Sequence, residues 1–296
     1  MAAAAGTYDV WAFRAHPDVW VLMAAIGIGW WWAITRLGPR VRPDQPIVTP
    51  LQRLSFFAGL AVMWLASDWP LHDLADSSLY SAHMVQHLLL SLVAPPLLLL
   101  GTPTWLAREL LRSAGLSRFV ARFGRAIPAA ILFNGFVVVS HWPAFVDLTV
   151  ELGWFHFLAH AGLMGTALLM WMPVVGPLPE LRLQPITAMG FLFIQSIIPT
   201  VPAAWLTFAD APIYEAYVDL PKPWGVGVLH DQQAAGLIMK LAGGFYLWTW
   251  ITVIFFRWAG RHDREMEGSY RPQPLTTADV EAAFEEAGPP PAEHPV

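Results

Sequence analysis

Two pairs of histidines, each four residues apart, carry the chemistry in this sequence: His83 with His87, and His156 with His160. On an α-helix that interval places both side chains on one face, one turn apart. Neutral imidazole is the commonest side-chain metal ligand. Met164 follows His160 at the same interval and adds a thioether to that face, while Met84 directly follows His83. Asp68, Asp73, Asp76 and Asp231 supply carboxylates. The chain has no cysteine, which excludes disulfides, thiolate metal sites and cysteine nucleophiles, so a metal must be held by His, Met and carboxylate. Imidazole with thioether suits copper, Cu(I) above all, whereas imidazole with carboxylate suits zinc or Cu(II). Met63 and Met84 read more simply as packing, since methionine fills gaps in apolar cores.

The first pair opens a stretch, Tyr80 to Pro103, that is apolar and long enough to cross a bilayer, which takes about 20 residues. Only 13% of the 296 residues are charged and 56% are hydrophobic. A soluble domain carries roughly 25% charged residues, so the composition is that of a membrane protein. Hydropathy predicts an all-α, polytopic fold with seven transmembrane helices at about 18–36, 51–67, 80–100, 127–142, 153–173, 185–208 and 232–257. They form one membrane domain, 18–257, between an outer N-terminal segment, 1–17, and a polar tail, 258–296, largely disordered but with a short helix between Thr277 and Ala287. The N-terminus lacks a basic region before its first apolar run and does not match a cleavable signal peptide. The basic residues lie in loops rather than in a patch interleaved with aromatics, which excludes a nucleic-acid footprint.

Arginine placement predicts the orientation. Arg36, Arg40, Arg42 and Arg53 follow the first span; Arg108, Arg112, Arg118, Arg122 and Arg125 follow the third; Arg182 follows the fifth; Arg257, Arg261, Arg264 and Arg271 follow the seventh. The opposite side holds Arg14 and Lys222 alone. The positive-inside rule then puts the N-terminus outside and the C-terminus in the cytoplasm. In that frame seven histidines share the outer face: His72 in a loop, His83 and His87 opening span three, His141 closing span four, His156 and His160 opening span five, and His230 opening span seven. His83, His87, His156 and His160 are the candidate metal ligands, with His141, His72 and His230 as auxiliaries. His16 remains outside this group, and His262 and His294 read as solvated side chains of the tail.

Three other features stand out. Residues Thr104 to Arg125 carry an apolar stripe between arginines, which predicts one or two short helices on the headgroups, broken near Gly115. Pro95 and Pro96 should kink or break span three, and carbonyls freed there need partners within the bundle. Lys240 lies about 13 Å into span seven at 1.5 Å per residue, with no carboxylate at matching depth. Its amine is expected to bond Asn134, Gln195 or a proline-freed carbonyl.

The block His83 to Pro103, H-M-V-Q-H-L-L-L-x3-A-P-P-L-L-L-L-G-x-P, resembles the CtaG-type cytochrome c oxidase assembly factors. His230-Asp231-Gln232-Gln233 followed by Gly236-Leu237-Ile238-Met239 looks like that family's span-seven motif, and Ser140 to Pro143 and Ser67 to His72 are compatible with it. The likeness covers roughly residues 15 to 260; Lys240 departs from it, standing where the family has a large apolar or aromatic residue. The resemblance implies a non-enzymatic role in assembling the oxidase's copper-containing core in the bacterial plasma membrane, with oxidase subunits and copper donors as partners. Two other chemistries use the same histidines: a seven-helix zinc hydrolase, with a carboxylate activating water, and a bis-histidine haem between spans three and five. Lys240 on a seventh helix also prompts a retinal-binding photoreceptor, which the lack of a carboxylate counter-ion in span three disfavours.

Overall fold

A computed structural model describes residues 11–269 and 276–287; the start of the N-terminal segment and His294 lie outside the described residues. The described residues form helices and connecting turns, without strands. In chain order the helices are α1 (Pro17–Val41), α2 (Pro50–Ser67), α3 (Leu71–Ser77), α4 (Tyr80–Leu100), α5 (Thr104–Leu110), α6 (Ala114–Phe123), α7 (Ala126–Ser140), α8 (Pro143–Glu151), α9 (Gly153–Val175), α10 (Pro185–Thr207), α11 (Val228–Ser269) and α12 (Thr277–Ala287). Residues 1–252 form one compact unit and 253–296 a second, which holds the end of α11 and α12. The tail helix falls where the sequence predicts it, and His262 in the second unit is exposed, stacked on Trp258 at 5.6 Å.

Six of the helical segments are long and apolar enough to cross a membrane, and seven if α6 and α7, bent by 86°, are taken as one broken span. α7 has 15 residues, about 22 Å at 1.5 Å each. Its ends nevertheless lie at opposite ends of the bundle. Gly124, just before it, sits against Leu181 and Met172, and His141, its C-cap, sits beside His87. α7 therefore runs the same course as the long helices, antiparallel to α9. Close helix approach is purchased with glycine at two positions: a Cβ on Gly59 of α2 would lie 3.0 Å from Leu97 and Leu98 of α4, and one on Gly162 of α9 would lie 2.7 Å from the Phe136 ring of α7.

The break in the arginine-rich segment falls at 111–113 rather than at Gly115, because Ser113 caps α6 by accepting from the Leu116 amide at 3.2 Å. Pro95 and Pro96 leave α4 continuous. The helix instead takes a π-helical turn at Leu89–Val93, which absorbs the missing donors. The Ser91 carbonyl faces prolines at both positions that could bond it within the helix. It accepts from Trp171 Nε1 of α9 at 3.0 Å, and the Trp171 side chain is fully buried. This is the partner that a proline-freed carbonyl in a bilayer requires. Trp171→Phe keeps an aromatic ring but removes that donor and part of the buried ring volume. It is expected to destabilise the detergent-solubilised protein by about 1–3 kcal/mol, read as a lowered midpoint of thermal unfolding.

Candidate metal centre

The centre is built on a helix start. The first amides of α4 have no partner within the helix and carry its positive dipole end. They are met by a carboxylate 150 residues away: Asp231 of α11 accepts from Tyr80 N at 2.7 Å, Ser81 N at 3.1 Å and Ser81 Oγ at 2.5 Å. The next two side chains of α11 fix the loop that precedes it. Gln232 accepts from the amides of Ile213 and Tyr214 and donates to the Tyr214 carbonyl, and Gln233 donates to the Ala209 carbonyl. The loop delivers two phenols. Tyr214 donates to the His141 carbonyl at 2.9 Å and Tyr217 to the Ala75 carbonyl at 3.0 Å. Burial pushes the Tyr214 phenol up to about 12 and that of Tyr217 further, so both remain protonated donors. Lys222 donates to the carbonyls of Ser78 and Tyr217, at 2.7 Å each; burial lowers its pKa, with the Asp231 charge acting the other way.

Within this frame the Tyr80 ring stacks on His83 at 5.6 Å. His83 and His87 of α4 have ring centroids 4.2 Å apart, and His156 and His160 of α9 are 4.4 Å apart. The two pairs interlock: His83 lies 5.8 Å from His156 and 5.7 Å from His160, and His87 lies 5.4 Å from His160. One ligand nitrogen from each of His83, His87 and His160 falls within 4.8 Å of the others. His141 borders His87 at 6.2 Å, and His72 borders His156 at 5.6 Å.

Hydrogen bonds assign several of the lone pairs. His156 Nδ1 is 3.0 Å from Asp76 Oδ1, and His141 Nδ1 is 2.7 Å from the Val137 carbonyl. Both partners only accept, so each Nδ1 carries the proton and each Nε2 presents a lone pair. A carboxylate behind the imidazole also raises its basicity as a ligand. His72 differs, since its Nδ1 is occupied by Gln86 Nε2 at 3.1 Å. Buried polar atoms are nearly always partnered in folded proteins. Here His83 Nδ1, His141 Nε2, His156 Nε2 and His160 Nε2 are buried with no hydrogen-bond partner among the described residues. Free imidazole nitrogens concentrated in this way fit a bound cation.

The sequence-predicted group is largely assembled. His83, His87, His156 and His160 meet, with His141 and His72 at their flanks. His230 is exposed, and the residue of its turn that enters the interior is Asp231. His16, left outside by the sequence, joins through His72, whose ring is 5.1 Å away, and through Asp73 at 3.3 Å. Three of the four candidate carboxylates are otherwise engaged. Asp68 accepts from the indoles of Trp20 and Trp64, Asp73 faces Arg14 and His16, and Asp231 holds α4. Asp76 alone pairs with a histidine of the interlocked pairs. Its pairing with His156 across 80 residues carried no local signal. Met84 is buried and Met164 half-buried. Lys240 finds neither deep amide: it donates to Thr200 Oγ1 at 2.6 Å and the Ser196 carbonyl at 3.4 Å, beside the interruption of α10 at 198–199, while Asn134 donates to Gln195.

The family model described as "Cytochrome c oxidase caa3 assembly factor" matches residues 28–261. Among curated proteins, an uncharacterized protein of Mycobacterium leprae, ML1998, is 26% identical over 221 residues, covering 66% of this chain and 33% of that protein. The chain thus spans about a third of the length of that relative. No solved structure matches.

Proposed function

Because the chain belongs to the cytochrome c oxidase caa3 assembly factor family, we propose that it serves oxidase assembly by holding copper at the His83–His87–His160 centre and releasing it to the oxidase. The protein is a multi-pass bacterial membrane protein. The observation that carries the copper reading is the convergence of three imidazole nitrogens within 4.8 Å. A neutral imidazole set with no carboxylate among its three members suits copper rather than harder cations such as magnesium or calcium. Three close ligands also form an open set, suited to exchange, whereas structural sites are closed by four. A hydrolytic zinc site needs a carboxylate free to activate water, and Asp76 is committed to His156. The rings of α4 and α9 pack directly on one another, 5.4–5.8 Å between centroids, and leave little width for a haem macrocycle between those helices.

The test is the copper content of full-length protein purified from copper-replete cells, with oxidase activity measured in the same membranes. Wild type is expected to carry copper, and His83→Ala/His87→Ala to lose it together with most oxidase activity. Unchanged copper and unchanged oxidase activity in the double variant would overturn the proposal.

The proposal also places the histidine end outside, on the arginine asymmetry. The native chain has no cysteine, so single cysteines report topology directly. Asp219→Cys is expected to react with an impermeant maleimide on whole cells, and Gly115→Cys only after permeabilisation. The reverse pattern would invert the orientation.

A further inference from the structure

At the end of the bundle away from the histidines, the corner between α6 and α7 holds an open pocket of about 640 Å³. α6 meets α7 at 86°, so it lies along the membrane surface when α7 stands across the bilayer. Val120 anchors α6 to the protein, while Leu116 and Phe119 stay exposed. One side of the pocket is basic: Arg118 and Arg122 stand one turn apart on α6, and Arg125 directly precedes α7. The other side is apolar, formed by Pro128, Ile131 and Leu132 of α7, and Ile131 is 67% exposed on the flank of that helix.

Five arginines lie between α4 and α7. Two are balanced: Arg108 faces Glu180 at 3.6 Å and Arg112 faces Glu109 at 3.5 Å. Arg118, Arg122 and Arg125 have no acid partner among the described residues, and all three line this pocket, whose wall contains no Asp or Glu. Arg118 commits only its Nε, to the Ala114 carbonyl at 2.9 Å. A guanidinium carries five donors in a planar fork that matches phosphate oxygens. α7 also begins here without a side-chain cap or an acid in its first turn, so its unpaired amides add to the positive field of the arginines.

We infer that the α6–α7 corner binds an anionic phospholipid, with its phosphate on Arg118, Arg122 and Arg125 and an acyl chain along Pro128, Ile131 and Leu132. A free phosphate would use the basic side alone, whereas the apolar side continues down a membrane-spanning helix and suits a chain. No carboxylate in the wall receives a choline or ethanolamine cation, which selects a headgroup of net negative charge. Basic pockets at the ends of membrane helices recognise lipid headgroups through this chemistry. The site is independent of the copper reading.

The test offers the full-length protein in detergent phosphatidylglycerol or phosphatidylcholine with identical acyl chains, and counts bound lipid by native mass spectrometry. A basic side chain near an anionic surface contributes about fivefold to binding. Wild type is expected to retain one phosphatidylglycerol at least about tenfold more tightly than phosphatidylcholine. Arg118→Gln/Arg122→Gln/Arg125→Gln, three exposed positions, is expected to lose that preference. Arg36→Gln/Arg40→Gln/Arg53→Gln removes the same charge from exposed positions flanking the α1–α2 connection, which Trp105 of α5 joins to this end of the bundle. That variant is expected to keep the preference, as is wild type in excess inorganic phosphate. No retained lipid in wild type, or equal retention of the two lipids, overturns the site. Loss of preference in both triple variants makes it a property of surface charge and overturns the pocket. Displacement by inorganic phosphate assigns the arginines to a free anion and overturns the lipid.

Discussion

A buried carboxylate bonded to a helix start holds the histidine end of this protein together. Asp231 satisfies amides that α4 itself cannot, and a charged acceptor at that position gains both hydrogen bonds and the helix dipole. The bond fixes α11 to α4 at the turn that begins the His83–His87 face. From the same turn of α11, Gln232 and Gln233 secure the loop whose tyrosines reach α3 and the end of α7. The placement of α4, α3 and the end of α7, which carry His83, His87, His72 and His141, thus depends on one short run, Asp231-Gln232-Gln233, whose side chains bond backbone groups. The motif is a structural one: its members are acceptors and donors for backbone.

The centre itself follows from what burial demands of imidazole. Charged rings crowded at 4–6 Å repel one another and lose solvation in the bundle, so the arrangement is compatible with neutral rings. A neutral ring has one donor and one acceptor nitrogen, and the fold occupies a donor in at least two cases, with Asp76 behind His156 and a carbonyl behind His141. What remains is a set of lone pairs without protons to accept. These lone pairs lie in a largely apolar bundle, the setting in which the cation proposed above would be held.

Much of this was legible in the sequence. The i, i+4 histidine pairs mark their own helices, apolar length marks the spans, and the two periodicities together place both pairs at one end. The proline-freed carbonyl was also foreseeable in kind, though not its partner Trp171, since that bond joins positions 80 residues apart. The illegible parts are all tertiary. His230 and Asp231 are neighbours of which one turns out and the other in, and sequence chemistry favoured the wrong one as the useful group. His16 lies in an N-terminal segment with no periodicity to place it, and only the packing of α3 against that segment brings it to His72. Asp76 was one carboxylate among four, and its role depends on three others being consumed elsewhere, by tryptophan indoles, by Arg14 and by α4.

The loop between α10 and α11 has a kinetic meaning. Its tyrosines are fully buried against the histidine end, and Gln232 holds it by three backbone bonds. Under the proposed copper reading, an ion that left on that side would wait for those bonds to open, and its residence time would follow a local unfolding equilibrium of the polypeptide as well as the strength of metal–nitrogen bonds. Affinity would then belong to the imidazoles and timing to a glutamine.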